Sequence, residues 1–145
     1  MHFDDLSEYT YGERPKSCTG ALAVGWLALS APFVMGAISR AVMSRVKVLV
    51  ENPINLTRGY HACEFCVDHL RNHKVDSRAL VRQLRDLGAL GNGEILVTGL
   101  DGVCYFSPVL VAHYMEVHEY CPPLEYCEAV VSMHLDAAVR PDERR

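Results

Sequence analysis

Apolar positions along the chain change period several times, and each change marks an element. An uncharged run from Ser17 to Ser39 contains Ala21-Leu-Ala-Val-Gly-Trp-Leu-Ala-Leu29. On paper it is long enough to cross a bilayer. Gly20, Gly25, Ser30, Pro32 and Gly36 interrupt it, so two buried pieces fit better: a core strand near Leu22–Leu29, then a loop entering a helix. From Ala37 to Val50, Ile38, Val42, Val46 and Leu49 recur at helical spacing, with Arg40, Arg45 and Lys47 between them, and Asn52-Pro53 ends the pattern. Asn52–Gly59 reads as a loop. Leu80, Leu84 and Leu87 predict a short helix over Asp76–Leu87.

Past Gly91-Asn-Gly93 the period shortens. Glu94–Thr98 and Val103–Phe106 flank an Asp101-Gly102 turn, which is a hairpin signal. Ser107-Pro108 then offers an N-cap hydroxyl and a proline for a first helical position. That helix is expected to run to about His118 and stop before Pro122-Pro123. A last helix starts near Pro123 and carries Leu124, Cys127, Val130, Val131 and Leu135. The first fifteen residues read as an irregular arm, and the polar tail 140–145 as frayed.

Two pairs of potential ligands sit on this pattern. Cys63-Glu-Phe-Cys66 is a Cys-x2-Cys, and His113-Tyr-Met-Glu-Val-His118 is a His-x4-His. Two thiolates and two imidazoles can complete a tetrahedron around Zn²⁺. Residues five apart on a regular helix diverge by about 140°, so both histidines reach one ion only where the last turn relaxes. Cys63, Cys66, His113 and His118 are the expected ligands, with zinc as a structural metal. Two alternatives stay open. His69 and His73 would give a compact local set with the cysteines, and His61 could replace a distal histidine or serve as an outer-shell partner. Cys18, Cys104, Cys121 and Cys127 are expected to pack as small apolar residues; Cys121 and Cys127 could pair on oxidation.

The expected architecture is a single α+β domain over residues 1–145. It would hold a zinc knuckle, a β-hairpin and a following helix in a ββα or treble-clef-like arrangement, with an N-terminal strand and two or three further helices. At 145 residues the chain can bury a sizeable core without needing metal or disulfides for size alone. Met1-His-Phe-Asp-Asp-Leu-Ser-Glu8 lacks the basic and apolar regions of an export signal, so a cytoplasmic, reducing compartment is expected.

The net charge of -4 conceals a division. Arg40–Arg85 carries nine Lys/Arg against four Asp/Glu, and Asp86–Val139 carries eight Asp/Glu with no Lys or Arg. A helix in that acidic segment would be repelled by phosphates. A basic protein partner is therefore expected, engaged through Glu116, Glu119, Glu125 and Glu128.

The run Asn52-Pro-Ile-Asn-Leu-Thr-Arg-Gly-Tyr-His-Ala-Cys-Glu-Phe-Cys66 resembles a family of uncharacterised small bacterial proteins. The similarity extends to Val24-Gly-Trp-Leu27, Gly91-Asn-Gly-Glu-Ile95, Tyr105–Pro108, His113-Tyr114, His118 and Pro122-Pro123, and covers about Tyr9 to Val131. It implies a compact cytosolic domain with a zinc site and no established activity. The basic, helix-like insert Val67–Leu87 departs from that pattern.

Function is then read as a zinc-stabilised interaction domain, immunity- or adaptor-like. One alternative is a zinc-dependent hydrolase-type enzyme with Glu64, Glu94 or Glu116 as base, although His-Glu-x-x-His and the deaminase signature are missing. Another is a nucleic-acid-binding module using Arg71, Lys74, Arg78, Arg82 and Arg85. A thiol redox role lacks its strand–motif–helix context.

Overall fold

The computed structural model describes residues 1–134; Leu135 and the expected frayed tail lie outside them. In chain order the elements are β1 (Gly20–Ala23), α1 (Arg40–Val50), β2 (His61–Ala62), α2 (Glu64–Asn72), α3 (Ser77–Asp86), β3 (Leu90–Gly91), β4 (Glu94–Thr98), β5 (Val103–Pro108), α4 (Val111–Val117) and α5 (Leu124–Ser132).

The hairpin forms where the sequence places it. β4 and β5 pair antiparallel from Glu94↔Pro108 to Thr98↔Cys104. Asp101 shapes the turn by accepting the Val103 N–H at 3.0 Å, and Gly102 supplies the left-handed backbone at φ +85°. β1 pairs parallel to β5, from Gly20↔Val103 to Ala23↔Phe106, so the sheet order is β1-β5-β4. The strand expected near Leu22–Leu29 is thus shorter and earlier. Gly25 ends it: φ is +81°, and a Cβ there would meet Val111 Cγ2 at 2.7 Å. Beyond Gly25 the chain leaves the ladder, though Trp26 still donates its indole N–H to the Phe106 carbonyl at 2.9 Å.

Side chains alternate across this sheet. Ile95, Val97 and Tyr105 face a large core closed by helices, including Val42, Val46 and Leu49 of α1, and Tyr126 and Val130 of α5. Ala21, Ala23, Cys104 and Phe106 face a smaller core with Tyr9 and Trp26. The N-terminal arm is irregular as expected, yet it covers this second face. Tyr9 stacks on Phe106 with ring centroids 4.1 Å apart.

Cys18 and Cys104 depart from expectation. They are joined as a disulfide across a sequence separation of 86, with Cα atoms 5.5 Å apart, within the normal range for a bridge. The arm delivers Cys18 to the outer face of β5, where Cys104 points away from the helices. Neither acts as a separate apolar filler. Cys121 and Cys127 are free thiols.

Two helix starts also differ from the sequence reading. α1 begins at Arg40 because Ser39 caps it, its hydroxyl accepting the Val42 N–H at 3.2 Å. Ser107-Pro108 does not open α4. The ladder with β4 claims both residues, the Ser107 hydroxyl donates to Tyr126 in the core at 3.0 Å, and the helix starts at Val111. The region 67–87 is α2 followed by α3, with Asp76 capping the latter as its carboxylate accepts the Arg78 N–H. β2 and β3 pair as His61↔Gly91 and Ala62↔Leu90, which fastens the two ends of this helical excursion together. Among the described residues, no helix is long and apolar enough to cross a membrane.

Candidate metal centre

The residues that will converge are first fixed locally. The loop Asn52–Gly59 is tied to Gly91-Asn-Gly93: the Asn92 side chain accepts the Thr57 N–H at 2.8 Å and donates to the Thr57 carbonyl at 2.7 Å. Ile54 and Glu94 exchange backbone bonds, both at 2.8 Å. Cys63 then donates its N–H to the Ala89 carbonyl at 2.8 Å and becomes the N-cap of α2. Its thiol makes no capping bond, so it is available to a ligand. Cys66 stands one turn inside α2. The Cys-x2-Cys is therefore a helix start and not the expected knuckle. Backbone N–H groups and the helix dipole at that end favour negative charge on sulfur.

The histidines come from α4. His113 lies within α4, and His118 is its C-cap, with φ -107° and ψ 7° outside the helical region. Glu119 follows at φ +58°, and the Tyr114 carbonyl accepts both the His118 and Tyr120 N–H groups. This is the relaxed last turn that the x4 spacing requires, and it swings His118 round to the side of His113.

The four ligand atoms lie within 4.8 Å of one another. Cys63 Sγ is 3.3 Å from His118 Nε2, and Cys66 Sγ is 3.3 Å from His113 Nε2 and 3.5 Å from His118 Nε2. A tetrahedral ion with bonds of about 2.3 Å to sulfur and about 2.0 Å to nitrogen sets S···N near about 3.5 Å. The cluster can hold a metal ion. Both cysteines and His113 are buried, and His118 is half-buried. The Phe65 ring packs against His118, with centroids 5.2 Å apart.

Burial sets the protonation of these groups. The Cys63 thiol is pushed up to about 12 by burial, with the neighbouring Cys66 adding to it, and burial also raises Cys66. His113 is lowered to about 4 by burial and by His118, against a backbone hydrogen bond to Leu87 that acts the other way. Burial lowers His118 as well. Without an ion the site is thus two neutral thiols against two neutral imidazoles. A divalent cation that displaces the thiol protons supplies the charge that this environment otherwise refuses.

The alternatives do not converge here. His61 sits exposed on β2 and lines a separate cavity with Trp26, Leu27 and Pro108. His69 and His73 lie against each other at the exposed end of α2, with ring centroids 4.2 Å apart and the planes tilted by 40°. The three candidate bases are engaged elsewhere. Glu64 accepts the Leu29 N–H at 3.2 Å; Glu116 pairs with Lys47; Glu94 is buried and accepts the Tyr9 hydroxyl. Sequence reasoning missed the Tyr9–Glu94 pair. The only hint was an acidic residue opening the apolar run Ile95–Val97, beside an arm rich in tyrosine.

The chain belongs to the family described as a domain of unknown function, DUF7919, which matches residues 1–131. That span includes all four candidate ligands and both cysteines of the disulfide. No curated protein and no solved structure matches the chain.

Proposed function

We propose that this chain is a zinc-stabilised protein-interaction domain in which the metal is a structural staple and an acidic surface meets a basic partner. The observation that carries the reading is the donor set: two sulfurs from the start of α2 and two imidazole nitrogens from α4 and its C-cap lie within 4.8 Å of one another. Two soft thiolates with two imidazoles at tetrahedral spacing suit Zn²⁺. Catalytic zinc keeps three protein ligands and one open position. In this reading four residues would fill the sphere, and Glu64, Glu94 and Glu116 have other bonds. When bound, the ion would fix the start of α2 against the end of α4.

The partner reading rests on charge. Lys47 of α1 neutralises Glu116, and Glu94 is buried, so neither belongs to the acidic surface. Asp101, Glu119, Glu125 and Glu128 remain exposed, and among the described residues none of them forms an ion pair. A surface of one sign speeds encounter with a basic protein and repels nucleic acid. X-ray absorption on the purified protein tests the staple: two sulfur and two nitrogen neighbours around zinc are expected, and a coordinated water would overturn it in favour of hydrolytic chemistry. DNA or RNA binding that is abolished by reversing Arg78, Arg82 and Arg85 would overturn the acidic-surface reading.

A further inference from the structure

The acidic segment brings three of its exposed carboxylates, Asp101, Glu125 and Glu128, to one cleft. A cleft of about 380 Å³ lies between the β4–β5 turn and α5, lined by Leu100, Asp101, Tyr105, Glu125, Glu128 and Ser132 among others. That is room for roughly a dozen waters. Tyr105 reaches it from the central strand. The residue is only 5% exposed, its ring is held edge-on by Tyr126 at 5.9 Å, and among the described residues its hydroxyl has no hydrogen-bond partner (Ser107 takes the Tyr126 hydroxyl instead). Its hydroxyl is not sealed from solvent: at the floor of the cleft it is open to an outside donor or acceptor.

The surroundings define that group. Burial raises the Tyr105 hydroxyl's pKa, and Asp101, Glu125 and Glu128 raise it further, so three carboxylates from two elements act on one oxygen and keep it protonated. Asp101 is held in place by the Val103 N–H. A single metal ion does not fit: among the described residues, only the Cys63, Cys66, His113 and His118 cluster brings three or more such atoms close enough together. Acceptors spread around a cleft suit a flat cation with several diverging donors. Guanidinium presents five N–H groups in a rigid fork, whereas ammonium concentrates its charge at a point. Leu100, 91% exposed at the turn, and Ala129 on the wall offer apolar surface to the methylene stem.

We infer that this cleft seats an arginine side chain of a basic partner protein, with the guanidinium among Asp101, Glu125 and Glu128 and over the Tyr105 hydroxyl. The inference rests on the interaction-domain reading and narrows it to one contact.

The test titrates the zinc-loaded, isotopically labelled full chain with N-acetyl-arginine amide, following the Tyr105 ring and the amides of Leu100–Gly102 and Glu125–Glu128 by NMR. Parallel titrations use N-acetyl-lysine amide and calcium chloride. Saturable shifts confined to the cleft are expected with arginine, several-fold weaker with lysine. The exposed pair E125Q/E128Q is expected to weaken arginine about tenfold, as the loss of charge-assisted bonds implies. Y105F keeps the ring and is expected to weaken it about threefold, as the loss of one neutral bond implies. Shifts that do not saturate, that persist unchanged in E125Q/E128Q, or that calcium reproduces at lower concentration overturn the assignment. Zinc content and signal dispersion are recorded on the same samples. A failed titration on folded, zinc-loaded protein therefore removes the arginine seat alone, whereas missing zinc removes the staple reading.

Discussion

The two faces of the central sheet are fastened by the same residue type through different chemistry. On the helical side, Cys63 and Cys66 face His113 and His118 as free thiols at the junction of α2 and α4. On the other side, Cys18 and Cys104 are covalently joined and hold the N-terminal arm to β5. A disulfide acts mainly on the unfolded chain by shortening the loops it can explore. A metal cluster acts on the folded state, because only the fold brings all four donors together. The covalent fastener is sensitive to reductants and not to chelators, whereas an ion held by the other would be removed by chelators and by acid. The comparison also changes the choice of control: Cys18 lies in a disulfide, so the half-buried free thiol of Cys121 serves better.

Breaking the metal side is expected to have the largest effect. Cys63→Ser or Cys66→Ser in the zinc-loaded protein should abolish stoichiometric zinc and lower stability by at least about 3 kcal/mol, well below the 10–16 kcal/mol of small finger peptides because a core already exists. Urea unfolding with metal analysis checks this; stability equal to that of Cys121→Ser would show that the thiols only pack. Breaking the other side by Cys18→Ser should cost about 2–4 kcal/mol with zinc retained. A loss of zinc in that variant would mean that the two fasteners are coupled across the sheet.

Removing the ion without mutation sharpens the contrast. In the metal-free protein His113 is held down to about 4 from an ordinary 6.5, so protonation favours the unfolded chain. Stability on this account is complete above pH 6.5 and is lost as pH falls through about 4. Cys63 acts at the other end: its thiol is raised from 9 to about 12, so stability is present below pH 9 and lost as pH rises through about 12. Thermal melts of the chelated protein across pH should show both shoulders, and H113Q should shrink the acidic one to the part that His118 contributes.

Smaller effects come from polar bonds on each side. Tyr9→Phe leaves the buried Glu94 without its hydroxyl partner and is expected to cost about 1–3 kcal/mol. Lys47→Met breaks the ion pair with Glu116, whose partners are both about half exposed, and should cost under about 1 kcal/mol. Denaturation midpoints separate the two; a larger loss for Lys47→Met would show that the α1–α4 contact depends on charge.

How much of this was legible in the sequence follows the range of each interaction. The β4–β5 hairpin, α3 and α5 are local, and Asp101-Gly102, Asp76 and Pro123 mark them within a few residues. The Cys/His cluster was legible because its members come as two tight pairs, even though the pairs lie far apart. The disulfide was not, because Cys18 and Cys104 are single residues brought together only by the parallel pairing of β1 with β5. Ser107-Pro108 misled because the residues of a helix start also serve as a strand end, and the ladder decided between them. The burial of Glu94 depended on the arm folding back over the sheet, which no periodicity records.

The two-residue clamp between β2 and β3 has a consequence for how this chain can vary. It makes α2 and α3 a loop-out whose exit lies beside its entrance, at His61↔Gly91. Cys63 and Cys66 sit at the root of that loop-out and the turn at His73–Val75 at its tip, where His73 and Lys74 are exposed. Lengthening or replacing the tip adds little closure entropy and leaves the root's geometry intact. Residues inserted between the exposed His73 and Lys74, ahead of Val75, which packs against the core, are accordingly expected to leave the anchor at the root in place.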